Sequence, residues 1–206
     1  MKTVVIATNN KNKVREFKSI IDNPNINFHT LEEIGYTKEI IEDGKTFEEN
    51  AYIKAMQVAK DLNVIALSDD SGLEVYALDM APGIYSARYA GGHDDEANNQ
   101  LLLKNLKGKE DRRARYVCAI CIAYPDGKYK TFTDYCYGKI IDDRRGTNGF
   151  GYDPYFYVDE FGKTLAEVEL EKKNTISHRA KAIRKLKENL DENFNLKWFS
   201  FQTYRF

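Results

Sequence analysis

The run Val64-Ile65-Ala66-Leu67, followed at once by Ser68-Asp69-Asp70-Ser71-Gly72-Leu73, constrains this chain more than any other stretch. Four consecutive apolar residues suit a buried strand, and two acids placed directly after them end it and face whatever lies off its end. Adjacent carboxylates repel, so such a pair either fans out into water as a polar turn or shares a cation, most often Mg²⁺ with its preference for oxygen ligands. Position alone leaves both readings open.

Strand and helix signals surround that stretch. Val4-Val5-Ile6-Ala7 reads as a strand, and Val14, Phe17, Ile20 and Ile21 recur at helical spacing after it. The junction Thr8-Asn9-Asn10-Lys11-Asn12-Lys13 is polar and basic, so it suits an anion, although it lacks the glycines of a Walker loop. Ile26 to Phe28 suits a short strand, and 31–45 reads mostly as loop, with Glu42-Asp43-Gly44 inside it. Thr46 and Glu49 predict a capping box that opens a helix through Leu62, with Asn63 as its stop. Asn50 and Lys54, four apart, share one face of that helix; a solvated face is the ordinary reason for such a pair.

Further on, Gly72 to Tyr76 alternates like a separate strand, and Ala81 to Gly92 reads as loop with Arg88 as either a phosphate clamp or a surface charge. A helix is predicted over Asp95–Leu106, closed by Gly108. Arg115–Ala123 and Lys128–Ile141 form an antiparallel hairpin about Tyr124-Pro125-Asp126-Gly127. A hairpin beside strand-helix units predicts a mixed central sheet flanked by helices, with two lobes around a cleft. Gly149-Phe150-Gly151 strips side-chain cover from Phe150, leaving its ring open to a flat ligand or simply making a turn before a strand at Pro154–Val158. Thr164–Leu170 suits a short helix, broken by Glu171-Lys172-Lys173-Asn174, and Ser177 caps a last helix with His178 and Arg179 in its first turn. An arginine there opposes the helix dipole unless it meets something anionic or electron-rich.

Composition bounds the function classes. Lys plus Arg number 31 against 32 acids in 206 residues, a net charge of -1, which argues against a nucleic-acid coat or an anionic-membrane binder. No apolar run is long enough for a signal peptide or a membrane span, so a soluble cytoplasmic protein of one domain is expected. Cys118 and Cys121 have the spacing of a redox or zinc pair, but three apart on a strand they point to opposite faces and read as buried hydrophobes. The dense aromatics of the tail, residues 193–206, are expected to pack on the domain or into a partner.

In their order these segments resemble the inosine triphosphate pyrophosphatase (HAM1-like) family: Ala7–Lys13, Thr46–Ala51 with Lys54, Ser68–Leu73, Ala81–Tyr89, Gly149–Pro154 and Ile176–Arg179. The resemblance implies Mg²⁺-dependent hydrolysis of non-canonical purine nucleoside triphosphates (ITP, dITP, XTP) to monophosphate and pyrophosphate, by a homodimer. It implies Asp70 as proton acceptor and metal ligand, Glu42 as the second metal carboxylate, and Asp69 as a neighbour able to tune both. Thr8, Asn10, Lys13, Lys54, Ser71 and Lys173 would hold the substrate's phosphates or otherwise bind it. Phe150, with Gly151 and Tyr152 beside it, would stack on the base, while Asp153, His178 and Arg179 sort bases by hydrogen bonding. A pyrophosphatase for pyrimidine or modified nucleotides and a non-catalytic nucleotide sensor are the alternatives. The chain departs from the family pattern at Asn9, where many relatives carry glycine, and in its aromatic tail.

Overall fold

The computed structural model describes residues 1–191 together with Phe194 and Asn195. Seven strands, β1 (Lys2–Ile6), β2 (Ile26–Thr30), β3 (Ile65–Val75), β4 (Arg113–Ala123), β5 (Tyr129–Ile140), β6 (Phe156–Val158) and β7 (Lys163–Thr164), form one sheet in the order β2-β1-β3-β4-β5-β6-β7. The β2, β1 and β3 pairings are parallel and all the others antiparallel, which makes the mixed sheet the hairpin predicts. Among the described residues five α-helices accompany it: α1 (Lys11–Ile20), α2 (Phe47–Leu62), α3 (Asp95–Leu106), α4 (Leu170–Ile176) and α5 (His178–Glu188).

The largest departure from the sequence reading lies in β3. Residues 65–75 are one continuous strand, so the acids do not end it, and Gly72–Tyr76 is not a separate element. What ends at Leu67 is the pairing with β1, whose last residue Ile6 lies opposite it. Beyond that point β3 runs on against β4 alone, Asp69 facing Ile120 and Asp70 facing Ala119. The acids mark the spot where β1 peels away and a crevice opens at the carboxyl ends of parallel strands, the usual ligand position in such sheets.

Strand alternation then assigns the faces. Leu67, Cys118, Ile120 and Ile122 pack with α1 and α5 through Phe17, Ile183 and Leu186. Ala66, Ala119 and Cys121 pack with α2 through Ala51, Ala55 and Ala59, a line of small residues that brings the helix close to the sheet. Cys118 and Cys121 thus sit on opposite faces, both buried and neither in a disulfide. A third cluster, including Leu73, Leu102, Leu106, Tyr116 and Phe156, closes the far end of the sheet beneath α3.

Local signals account for most of the helices. Thr46 accepts from the Glu49 amide at 3.1 Å and Asn63 stops α2 at φ 53°, while the Glu49 carboxylate reaches past the cap to the Lys45 amide. Ser177 caps α5 through the Ala180 amide. Two further expectations change: the loop read at Gly83–Arg88 winds into a 3-10 turn, and in place of the short helix expected over Thr164–Leu170 stand the end of β7 and a 3-10 turn at Leu165–Glu167, so that Glu171–Asn174 lies inside α4. The first of these turns lies so close to β3 that a Cβ on Gly72 would come within 2.5 Å of Ser86 Oγ. Of the tail, Phe194 is buried edge-on against Phe28; the expectation for Trp198 to Phe206 lies outside the described residues.

Candidate active site

The crevice beside β3 divides into two connected halves that share Ser71, Ala87, Phe150 and Arg179. The larger, about 740 Å³, is lined by Thr8, Asn10, Lys13, Glu42, Lys54 and Asp70 with others. The narrower, about 140 Å³, is lined by Tyr116, Gly151, Tyr152, Asp153, Lys173 and His178 among others. Every site residue proposed from the sequence therefore lines one half or the other, except Asp69.

Asp69 and Asp70, adjacent in sequence, point to opposite faces of the sheet. Asp69 is fully buried on the α5 side, where its Oδ2 meets Lys13 Nζ at 3.0 Å and Arg179 Nε at 3.1 Å. Burial pushes its carboxyl pKa up, but Lys13 and Arg179 outweigh that and hold it well below the usual carboxylate range. Asp70 faces α2: Asn50 Nδ2 donates to its Oδ2 at 3.0 Å and Lys54 Nζ lies 3.8 Å from its Oδ1. Here burial prevails over Lys54 and Asn50, and the pKa of Asp70 is raised.

The pair Asn50 and Lys54 is thus a working face rather than a solvated one. Both side chains are buried, and Lys54 Nζ also meets Glu42 Oε2 at 2.5 Å, so one ammonium lies against two carboxylates from separate elements. Asn50 accepts from the Gly44 amide at 2.9 Å and thereby ties the Glu42 loop to α2. That approach requires glycine, since a Cβ on Gly44 would come within 2.7 Å of Asn50 Oδ1. Across the crevice, Asn10 is the N-cap of α1, accepting from the Asn12 amide at 2.9 Å, and its own amide donates to Thr8 Oγ1 at 3.2 Å. The left-handed non-glycine residues described are Asn63, Asp79, Met80 and Phe194, so Asn9 holds this loop without the backbone freedom of glycine.

The narrow half is aromatic. Phe150 is half exposed at its mouth, with Lys173 Nζ 5.5 Å from the ring centroid. Asp153 Oδ2 takes both the Phe150 amide at 3.1 Å and Lys173 Nζ at 2.5 Å, so its charge is balanced and it fixes the loop. Tyr152 does not stand open beside Phe150: it is buried, and its hydroxyl donates to the Ser86 carbonyl at 2.8 Å. His178 stacks on Tyr116 with ring centroids 4.9 Å apart and planes 11° apart. Burial, then Arg179 and Lys173, hold its pKa well below the usual imidazole value, so the ring is neutral, with Nδ1 buried and unpartnered among the described residues.

Arg179 joins the halves. Its three nitrogens engage Asp69, both carboxylate oxygens of Glu16 and Ser71 Oγ, which fixes the guanidinium plane and leaves a further N–H group on Nη2. Sequence reasoning missed Glu16, Tyr116, Asp95 and Asn99. Glu16 has a signal, three residues after Lys13 on α1. Asp95 accepts from the Gly151 amide and Asn99 donates to its carbonyl, contacts across more than 50 residues that leave no local trace.

A mixed α/β sheet with a crevice charged at one end and flat, aromatic and neutral at the other defines a nucleotide-binding enzyme. The anionic phosphates suit the first end and the base suits the second. The chain belongs to the Ham1 family, whose model matches residues 4–189. It is 52% identical over 185 residues, 89% of this chain and 83% of the relative, to the dITP/XTP pyrophosphatase of Desulfotalea psychrophila. It is 51% identical to that of Listeria monocytogenes serotype 4b, over 93% of this chain and 96% of the relative. Among solved structures, the Staphylococcus aureus Ham1 protein superposes with a TM-score of 0.86 at 47% identity, covering 91% of this chain and 97% of its own. A HAM1 protein from Coxiella burnetii gives 0.87 at 38%, covering 91% and 98%.

Proposed function

We infer that this chain is a nucleoside triphosphate pyrophosphatase that hydrolyses non-canonical purine nucleotides, dITP, XTP and ITP, to the monophosphate and pyrophosphate. The observation that carries this reading is the position of Asp70, a mostly buried carboxylate beside Lys54 and Glu42, in a cleft continuous with the Phe150–His178 slot.

In this reading Asp70 accepts the proton of a water that attacks the α-phosphorus; the new P–O bond forms as the bridge to the β-phosphorus breaks, and pyrophosphate leaves with that electron pair. A raised pKa makes Asp70 a better proton acceptor than an exposed aspartate. Lys13, Lys54, Thr8, Asn10 and Ser71 hold the phosphates. Asp69 acts from behind the site, fixing Lys13 and Arg179 in place.

Glu42 and Asp70 would hold Mg²⁺. Both already converge on one cation, the Lys54 ammonium, and a small set of carboxylates completed by water and phosphate oxygens suits that ion. Bound there, Mg²⁺ supplies charge neutralisation for the phosphates.

At the base end Phe150 stacks on the purine. The remaining Nη2 N–H of Arg179, with neutral His178, favours a 6-oxo acceptor over the 6-amino group of adenine. The homodimer and cytoplasmic location implied by the resemblance belong to the same reading; no helix among the described residues is long and apolar enough to cross a membrane. Light scattering of the purified protein tests the dimer. Incubation with Mg²⁺ and dITP, XTP, ITP or ATP, scored for pyrophosphate and orthophosphate, tests the activity. Pyrophosphate from the first three and little turnover of ATP is expected, whereas orthophosphate or equal use of ATP would overturn it.

A further inference from the structure

The cations of the charged half are mostly already balanced. Lys13 pairs with Asp69, Lys38 with Asp61, Lys54 with Glu42 and Asp70, and Arg179 with Asp69 and Glu16. Arg88 lines the same cleft and, among the described residues, is the one lysine or arginine of its lining that meets no carboxylate. Its guanidinium carbon lies over the Tyr85 ring, 5.4 Å from the centroid, which holds the side chain without using its charge.

The backbone that carries Arg88 is fixed on both sides. Ser86 Oγ accepts from the Leu73 amide at 2.8 Å, two residues beyond Ser71 on β3, and the Ser86 carbonyl accepts from Tyr152 at the base end. Asn98 of α3, buried, donates to the Ala87 carbonyl at 3.3 Å and accepts from the Ala90 amide at 2.7 Å. A short exposed turn clamped by three buried side chains is far more rigid than a surface loop needs to be. It presents an uncompensated, planar fork of donors to a cleft whose proposed ligand is a polyanion, and that fork matches phosphate oxygens pairwise.

We propose that Arg88 is a further phosphate-binding residue, contacting the triphosphate chain in the cleft it lines together with Lys13 and Lys54. This rests on the pyrophosphatase reading and adds a ligand to it.

Binding of inorganic tripolyphosphate in the presence of Mg²⁺, measured by calorimetry on the wild type, Arg88→Gln and Arg88→Lys, tests it without hydrolysis. Absence of XTP turnover in the wild type would therefore be a separate result. Arg88→Gln is expected to weaken tripolyphosphate about 10-fold or more, the size of a lost charge-assisted contact. Arg88→Lys should recover part of that, and inhibition by xanthosine, which carries no phosphate, should stay unchanged. Tripolyphosphate binding within twofold of wild type in Arg88→Gln, or equal losses of tripolyphosphate and xanthosine, would overturn the assignment.

Discussion

The two halves of the crevice solve opposite problems with overlapping residues. The charged half keeps ions in a partly desolvated place by pairing nearly every one: Lys13 with Asp69, Lys54 with Glu42 and Asp70. The base half keeps charge out of reach: Lys173 and Asp153 neutralise each other, His178 is neutral, and Tyr116 and Tyr152 are buried. Ser71 and Arg179 border both, so the two halves are joined through one strand and one helix start. The lesson is sharpest at the adjacent acids. Asp69 lies where paired cations depress its pKa and Asp70 where burial raises it, and one step along β3 separates a carboxylate held behind the crevice from the one proposed as proton acceptor.

That contrast can be broken residue by residue. Replacing Asp70 by Asn should lower kcat by about 10²–10⁴-fold, the range for a positioned general base. It should leave the thermal midpoint near or above wild type, because burial already disfavours the charged form. Near-normal turnover in this variant would remove the assignment. Asp69→Asn should do the reverse in kind: by leaving Lys13 and the buried Arg179 without their shared anion, it should destabilise the fold by roughly 3–5 kcal/mol in urea denaturation.

Phe150→Ala probes the other half. Loss of a stacked base is worth about 1–3 kcal/mol, so KM for XTP should rise about 5- to 150-fold while binding of tripolyphosphate stays as it was. A parallel loss of both ligands would erase the division between the halves.

The smallest effect is on pH dependence. The folded pKa of His178 lies below its unfolded value, so the unfolded chain binds the extra proton first as the pH falls beneath about 6.5. Stability from this group is present above that pH and is lost on acidification, at up to about 1.4 kcal/mol per pH unit. Denaturation midpoints of the wild type between pH 7.5 and 5 should therefore fall more steeply than those of His178→Gln, and identical slopes would contradict a neutral buried ring.

Much of this was legible in the sequence because its signals are local. The Thr46 cap, the Asn63 stop, the Ser177 cap and the Tyr124–Gly127 turn each depend on residues a few positions apart. The divergence of Cys118 and Cys121 follows from strand alternation alone. The continuity of β3 was not legible, since acids after an apolar run look like a strand end. What stabilises Asp69 mid-strand is Lys13 of α1 together with an arginine 110 residues away. The same alternation that separates the two cysteines separates Asp69 from Asp70, but only once the strand is known to pass through them. Every proposed site residue except Asp69 reaches the crevice, which opens at the carboxyl edge of a parallel pair: Thr8 and Asn10 lie between β1 and α1 and His178 and Arg179 at the start of α5, whereas Asp70 and Ser71 lie mid-strand in β3 and Lys54 inside α2. The clamps on Gly151 and on the Arg88 turn, made by Asp95, Asn98 and Asn99, carry no motif of their own.

The central claim is that water attacks the α-phosphorus inside the charged half, with Asp70 taking its proton. Hydrolysis of XTP in ¹⁸O-labelled water, with products resolved by mass spectrometry, tests it most directly. One ¹⁸O in the monophosphate and none in pyrophosphate is the predicted result; label in pyrophosphate, or release of orthophosphate as the primary product, would contradict it.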